Sequence, residues 1–150
     1  MSDPTNPTLS QDAAIVLGLA DTAVPFAVSA DDEAERWVRV LRLHGQVGCA
    51  MQALGVGEAA LESPAQPRAA VRLLRRRAAG ENIVELVEES AMYLARQSGS
   101  PTVGTVHVLF AVLAHYGRTF DRALYVRGTT REELLERLAT DASLPQPPAV

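Results

Sequence analysis

The sequence has no lysine, and all 14 of its basic residues are arginine. This absence excludes Schiff-base chemistry and a lysine general base. Cys49 is the only cysteine, so the chain cannot form an internal disulfide. Its neighbours Gly48, Ala50 and Met51 resemble a packed helix face, which predicts an inert buried thiol, with a reactive thiol as the alternative.

Long hydrophobic runs are also missing, since no apolar stretch approaches the roughly 20 residues of a membrane span. The first residues lack the basic-then-apolar pattern of a secretory signal, so a cytoplasmic location is expected. The formal net charge is −4, which argues against nucleic acid or an anionic membrane as the main partner.

Along most of the sequence, apolar residues recur with the spacing of an α-helix. Residues 1–8 are polar and are expected to be disordered. Ser10 is predicted to cap a first helix that Pro25 ends or kinks, and Asp31 or Asp32 to cap a second. A short third helix contains Cys49. The pattern also predicts a linker helix over 68–79.

The second half of the sequence also shows helical spacing of apolar residues. This spacing predicts a long acidic helix over 81–97, a buried helix capped by Thr105, a helix over 118–125, and a last helix that begins with a capping box at Thr130. Residues 141–150, rich in proline, form a tail. No stretch alternates as a strand does, so we predict an all-α fold of about eight helices.

The two halves of the sequence resemble each other. Residues 13–36 align with 84–107 without a gap, and Ala53-Leu54-Gly55-Val56 then falls on Ala123-Leu124-Tyr125-Val126. More telling than the few identities is the repeated order of a long helix, a loop, a buried helix, a short helix and an acidic helix. Gly55 can adopt the left-handed conformation that closes a helix, with Val56 folding back onto it.

Val103-Gly104-Thr105, followed by His107 and Leu109, resembles the start of the second helix in a repeat of the Clp N-terminal (Clp R) domain, the adaptor- and substrate-binding module of Clp-type unfoldases. Ala53-Leu54-Gly55-Val56 adds to the resemblance, which implies two four-helix repeats about a pseudo-twofold axis. Its boundaries would be about 9–140 for the whole, 9–62 for repeat one and 81–139 for repeat two.

The resemblance also implies a ligand groove between the first helices of the two repeats, which in the family receives adaptor proteins and some cyclic-peptide antibiotics. Glu35 occupies the position of a family carboxylate that receives the guanidinium of phosphorylated arginine, and Ser10 that of a hydroxyl that helps to hold the phosphate. Val106 replaces the second such carboxylate. The expected ligand-binding residues are Leu9, Ser10, Ala13, Leu17, Glu35, Ile83, Val84, Val87 and Glu88.

Residue patterns typical of catalysis are missing from the sequence. His107 and His115 lie eight positions apart on one predicted helix, which is poor geometry for chelating a metal, and His107 is expected to pack structurally with a satisfied ring nitrogen. There is no nucleophile elbow, phosphate loop, Walker motif or paired-cysteine metal site. We therefore expect neither an enzyme nor a bound metal or cofactor.

The densest charge cluster is basic: Arg68, Arg72, Arg75 and Arg76, with Arg77 beside them. These residues can form a solvated face that pairs with the acidic helix after it, or dock an acidic protein. Binding of nucleic acid is the third alternative, although no aromatic residue lies among the arginines.

Together these observations predict a non-catalytic module that recognises a peptide, a protein segment or a peptide-like small molecule. It would act as an adaptor, decoy or sequestering relative of a Clp unfoldase's N-terminal domain. The alternative is a helical transcription or nucleic-acid-binding factor that uses Arg68–Arg77.

Overall fold

Helices make up most of the computed structural model, which describes residues 6–56 and 82–143. The described residues contain seven α-helices rather than about eight, and the all-α prediction is confirmed at this level. The helices are α1 (Gln11–Ala23), α2 (Ala30–Leu43), α3 (Gly45–Ala53), α4 (Ile83–Gln97), α5 (Thr105–Tyr116), α6 (Arg118–Val126) and α7 (Arg131–Ser143). The predicted linker helix over 68–79, the end of repeat one and most of the tail lie outside the described residues.

Two very short strands were not predicted. β1 (Thr8–Leu9) pairs in parallel with β2 (Thr102–Val103), and the two strands enter α1 and α5. Two residues are too few to show the alternation by which a strand is recognised in sequence. The pairing holds the beginnings of α1 and α5 together.

The starts of α1 and α2 are both capped by serine, as predicted for α1 but not for α2. The Ser10 hydroxyl accepts the amide of Ala13, as predicted, and α1 ends at Ala23, where the 3-10 helix Val24–Phe26 takes in Pro25. In α2 the cap is Ser29, which accepts the amide of Asp32, not Asp31 or Asp32. The Asp32 carboxylate instead accepts the amide of Val28, the residue before the cap, so it does not return a hydrogen bond to Ser29 as a capping box would.

The start of α5 is also capped differently from the prediction. Gly104 is the cap residue, and its amide donates to Nδ1 of His107 at 2.9 Å. Thr105 is the first helical residue, and its hydroxyl accepts the amide of Val47 at 3.4 Å. The ring nitrogen of His107 is therefore satisfied, as expected, and Thr105 connects α5 to α3.

One hydrophobic cluster contains buried residues from both sides of the undescribed stretch. α2 packs against α3 and α6, α4 packs mainly against α5, and α3 also contacts α5 and α7. Trp37 is fully buried, and its indole N–H donates to the hydroxyl of Tyr116 at 2.9 Å, which in turn donates to Glu33 at 3.2 Å. This chain of hydrogen bonds ties α2 to α5.

α3 and α6 end in the same way. Gly55 has a φ of +82°, the amide of Val56 donates to the carbonyl of Met51, and Val56 is buried, as predicted. At the end of α6 the equivalent residues are Gly128 and Thr129, whose amide donates to the carbonyl of Leu124. The sequence alignment that paired Val56 with Val126 is therefore shifted from the structural equivalence.

Cys49 lies on the exposed face of α3, which corrects the prediction of a buried thiol. The helix buries Val47, Gly48, Ala50 and Met51, and the helical period leaves Cys49 outside. Within residues 6–56 and 82–143, none of the helices combines the length and apolar character needed to cross a bilayer.

Candidate functional site

An open groove of about 540 Å³ lies along α6 and the start of α7. Its volume falls within the range of small-ligand and peptide side-chain pockets. The groove is lined by Arg118, Asp121, Arg122, Tyr125, Val126, Thr130, Arg131 and Glu132. It therefore combines apolar, basic and acidic groups, and we refer to it as the α6–α7 groove.

The apolar part of the groove comes from the last turn of α6. This short helix buries Phe120, Ala123 and Leu124 against the core. Tyr125 and Val126 follow directly and point away from it, with 76% and 54% of their surfaces exposed. Exposed aromatic and aliphatic side chains beside one another in a concave surface are typical of a binding site.

The side of the groove nearest α7 is held by a bidentate ion pair. Arg131 contacts both carboxylate oxygens of Asp121, through Nε at 2.8 Å and a terminal nitrogen at 3.1 Å. Thr130 caps α7 by accepting the amide of Glu133. Glu133 receives the hydroxyl of Thr129 rather than a backbone amide, so the predicted capping box is formed only in part. The pair fixes α6 against α7 and neutralises Asp121.

Two further guanidinium groups lie one helical turn apart on α6. Arg122 donates to Asp31 of α2 at 3.0 Å, but both side chains are about two-thirds exposed, at 68% and 66%. Arg118 forms no ion pair with any of the described residues. Exposed ion pairs contribute about 0–1 kcal/mol, so neither arginine is strongly held by the protein.

Glu35, the predicted receptor for a guanidinium group, already binds one from the same chain. Arg127, at the end of α6, donates to its carboxylate at 3.0 Å, and the Arg127 side chain is only 4% exposed. The adjacent Arg36 contacts Asp32 and the carbonyl of Ala23 instead. Glu35 is thus occupied within the fold.

The other residues expected to line a ligand groove lie mostly in the core. α1 and α4 contact each other, and Ala13, Leu17, Val84 and Val87 are at most 6% exposed. Leu9, Ile83 and Glu88 are half-buried, and the Ser10 hydroxyl caps α1. Ala13, Leu17, Val84 and Val87 are therefore too buried to contact a ligand in this structure.

The pKa of His107 is displaced from its usual value. Burial lowers the pKa of His107 below its usual value. Its Nδ1 accepts a backbone N–H, which requires the neutral ring with the proton on Nε2. These features fit a helix-capping role.

Groups of three or more potential metal ligands are not found in the described part of the chain. The basic cluster of Arg68, Arg72, Arg75 and Arg76 lies outside the described residues.

No family model matches the chain, and no curated protein matches it either.

Sequence reasoning did not identify the α6–α7 groove. A signal was present in the run Ala123-Leu124-Tyr125-Val126, where four consecutive apolar residues cannot all face the core from one helix. The alignment of this run with Ala53-Leu54-Gly55-Val56 does not indicate that Tyr125 and Val126 are exposed. The positions of Thr130 and Arg131 beside this run depend on how α7 packs next to α6, which the sequence does not reveal.

Proposed function

We propose that the chain is a non-catalytic binding module and that it takes a peptide or protein segment in the α6–α7 groove. The observation that carries this proposal is the exposure of Tyr125 and Val126 within a groove of about 540 Å³. A large apolar side chain from a partner would cover these two residues and remove their surface from water. Such burial supplies about 25 cal/mol per Å² of apolar surface.

Kinship with Clp R domains is part of the same proposal, with two repeats related by a pseudo-twofold axis. The order of α1, α2 and α3 recurs in α4, α5 and α6, and α3 and α6 end in equivalent caps. The contact of α2 with α6 has its counterpart in the contact of α5 with α3. These recurrences support a repeat architecture.

The role that fits the module is that of an adaptor, decoy or sequestering relative of an unfoldase N-terminal domain. The site we propose differs from the family's inter-repeat groove, because Ala13, Leu17, Val84 and Val87 are buried here. A peptide-like small molecule would use the same apolar contact. The nucleic-acid alternative depends on Arg68–Arg77, and no structural observation favours it.

The test is a selection of short random peptides displayed on phage against the immobilised protein. Enriched peptides are then synthesised with a fluorophore, and their dissociation constants are measured by anisotropy with wild type, Tyr125→Ala and Tyr93→Ala. Tyr93 is a matched control, since it is 58% exposed on α4, away from the groove.

We expect Tyr125→Ala to weaken binding by about tenfold or more, because exposed aromatic residues dominate such interfaces. Tyr93→Ala should leave the affinity unchanged. A selection that enriches no peptide, or peptides that bind equally well to Tyr125→Ala, would refute the proposal.

A further inference from the structure

We infer that the partner segment of the α6–α7 groove is acidic and carries a large apolar side chain among its carboxylates. This inference rests on the proposed function and adds the chemistry of the occupant. It is drawn from the charges along the edge of the groove and from which of them the protein has already paired.

Two arginines and one carboxylate in the lining of the groove are not held in a strong ion pair within the described residues. Arg131 is committed to Asp121 by its bidentate contact, so these two charges cancel. Arg118 is unpaired among the described residues, and Arg122 holds only an exposed partner. Glu132 remains exposed at the start of α7.

The spacing of the two arginines suits a pair of carboxylates. Residues four apart on a helix have their Cβ atoms about 5–6 Å from each other, so Arg118 and Arg122 present neighbouring guanidinium groups. Tyr125 lies one turn further along the helix. A segment with acidic residues followed by an aromatic residue or leucine would meet both features along α6.

Asp31 already shows the kind of contact we infer. Its carboxylate lies 3.0 Å from Arg122, although it belongs to another helix and does not line the groove. A carboxylate of the partner would replace it on the same guanidinium group. Asp31 is therefore a built-in competitor, and removing its charge should strengthen binding.

Phosphates of a nucleic acid could also contact the two arginines, but the surroundings favour a peptide. Asp121 and Glu132 line the same groove, and the whole chain has a net charge of −4. Tyr125 is the only aromatic residue in the lining, whereas proteins that bind single strands stack successive bases on several aromatic residues.

The experiment compares two fluorescent peptides of equal length with the same leucine and phenylalanine anchors. One carries Asp and Glu, and the other carries Asn and Gln at those positions. Anisotropy is measured at low and high salt with wild type, Arg122→Gln, Asp31→Asn and Arg96→Gln, the last an exposed arginine on α4.

We expect the acidic peptide to bind better than its amide form and to weaken as salt rises. Arg122→Gln should reduce its affinity by about two- to fivefold and Asp31→Asn should raise it by a similar factor, the range of exposed ion pairs. Arg96→Gln should have no effect.

Equal affinity for both peptides, or no change in Arg122→Gln and Asp31→Asn, would overturn the inference. Tighter binding of a single-stranded oligonucleotide than of the acidic peptide would overturn it as well. If phage selection yields peptides that depend on Tyr125 but have no acidic excess, the proposed function stands and this inference alone fails.

Discussion

The ion pair between Glu35 and Arg127 determines what the start of α2 can bind. Arg127 is almost fully buried and comes from the far end of α6, so the pair joins two elements that are distant in sequence. A ligand guanidinium group would have to displace Arg127 and leave its charge in the protein interior. A buried charge without a partner destabilises the folded state, so we assign Glu35 a structural role.

Replacing Arg127 with alanine should therefore destabilise the protein strongly. We expect a loss of about 3 kcal/mol in the free energy of unfolding, because the Glu35 carboxylate keeps its charge without its partner. Urea denaturation measures the loss. The double variant Glu35→Gln with Arg127→Gln should be closer to wild type than Arg127→Ala is, and a double variant that is less stable than Arg127→Ala would contradict this account.

His107 should make stability depend on pH. The ring is neutral in the folded state and its pKa is lowered by burial, whereas the unfolded chain binds a proton near the usual value of about 6.5. Its contribution is thus complete above that value and is lost as pH falls through it towards the folded pKa.

The check is a comparison of wild type with His107→Gln, whose amide oxygen can accept the amide of Gly104 at any pH. Between about pH 7.5 and about pH 5.5, wild type should lose more unfolding free energy than the variant. Parallel losses in the two proteins would exclude His107 as the titrating group.

Gly45 is required where α2 turns into α3. It has a φ of +75°, and a Cβ atom there would lie 2.7 Å from the side chain of Thr105. We expect Gly45→Ala to cost about 2–4 kcal/mol through backbone strain and overpacking. Thermal unfolding measures this.

Gly18 provides the matched control for that substitution. It is an exposed residue of α1, and a Cβ atom there would meet nothing within 4 Å. Gly18→Ala should stabilise the protein by about 0.5–1 kcal/mol through helix propensity. If both alanine variants change stability in the same direction, the contact of Gly45 with Thr105 is not what requires glycine.

At the scale of elements, the connection between α2 and α5 depends on Tyr116. Its hydroxyl accepts from Trp37 and donates to Glu33, so Tyr116→Phe removes both hydrogen bonds and keeps the ring. We expect a loss of about 1–3 kcal/mol in the free energy of unfolding. A shift in Trp37 fluorescence should accompany it, because Trp37 is the only tryptophan. Unchanged stability and emission would mean that packing alone joins the two helices.

Elements whose signals are local were predictable from the sequence. The Ser10 cap, the end of α1 shortly before Pro25 and the Gly55–Val56 closure each depend on a few consecutive residues. The cap of α2 was misassigned among several neighbouring polar residues. The pairing of β1 with β2 could not be predicted, because it joins two residues to two others far along the chain.

At the scale of the whole molecule, the site was harder to predict than the fold. Helical spacing indicates which residues share an apolar face of a helix. It does not indicate whether that face packs against another helix or is exposed to water. Val84 and Val87 are buried in the core, whereas Tyr125 and Val126 are exposed to solvent. This difference moves the expected binding surface from the α1–α4 contact to the α6–α7 groove.

The most direct test of the central claim is a map of amide chemical-shift changes when a phage-selected peptide is added to isotopically labelled protein. The account predicts that the largest changes occur in α6 and the first turn of α7, around Tyr125 and Thr130. Changes concentrated at the contact of α1 with α4, around Leu17 and Val87, would contradict it.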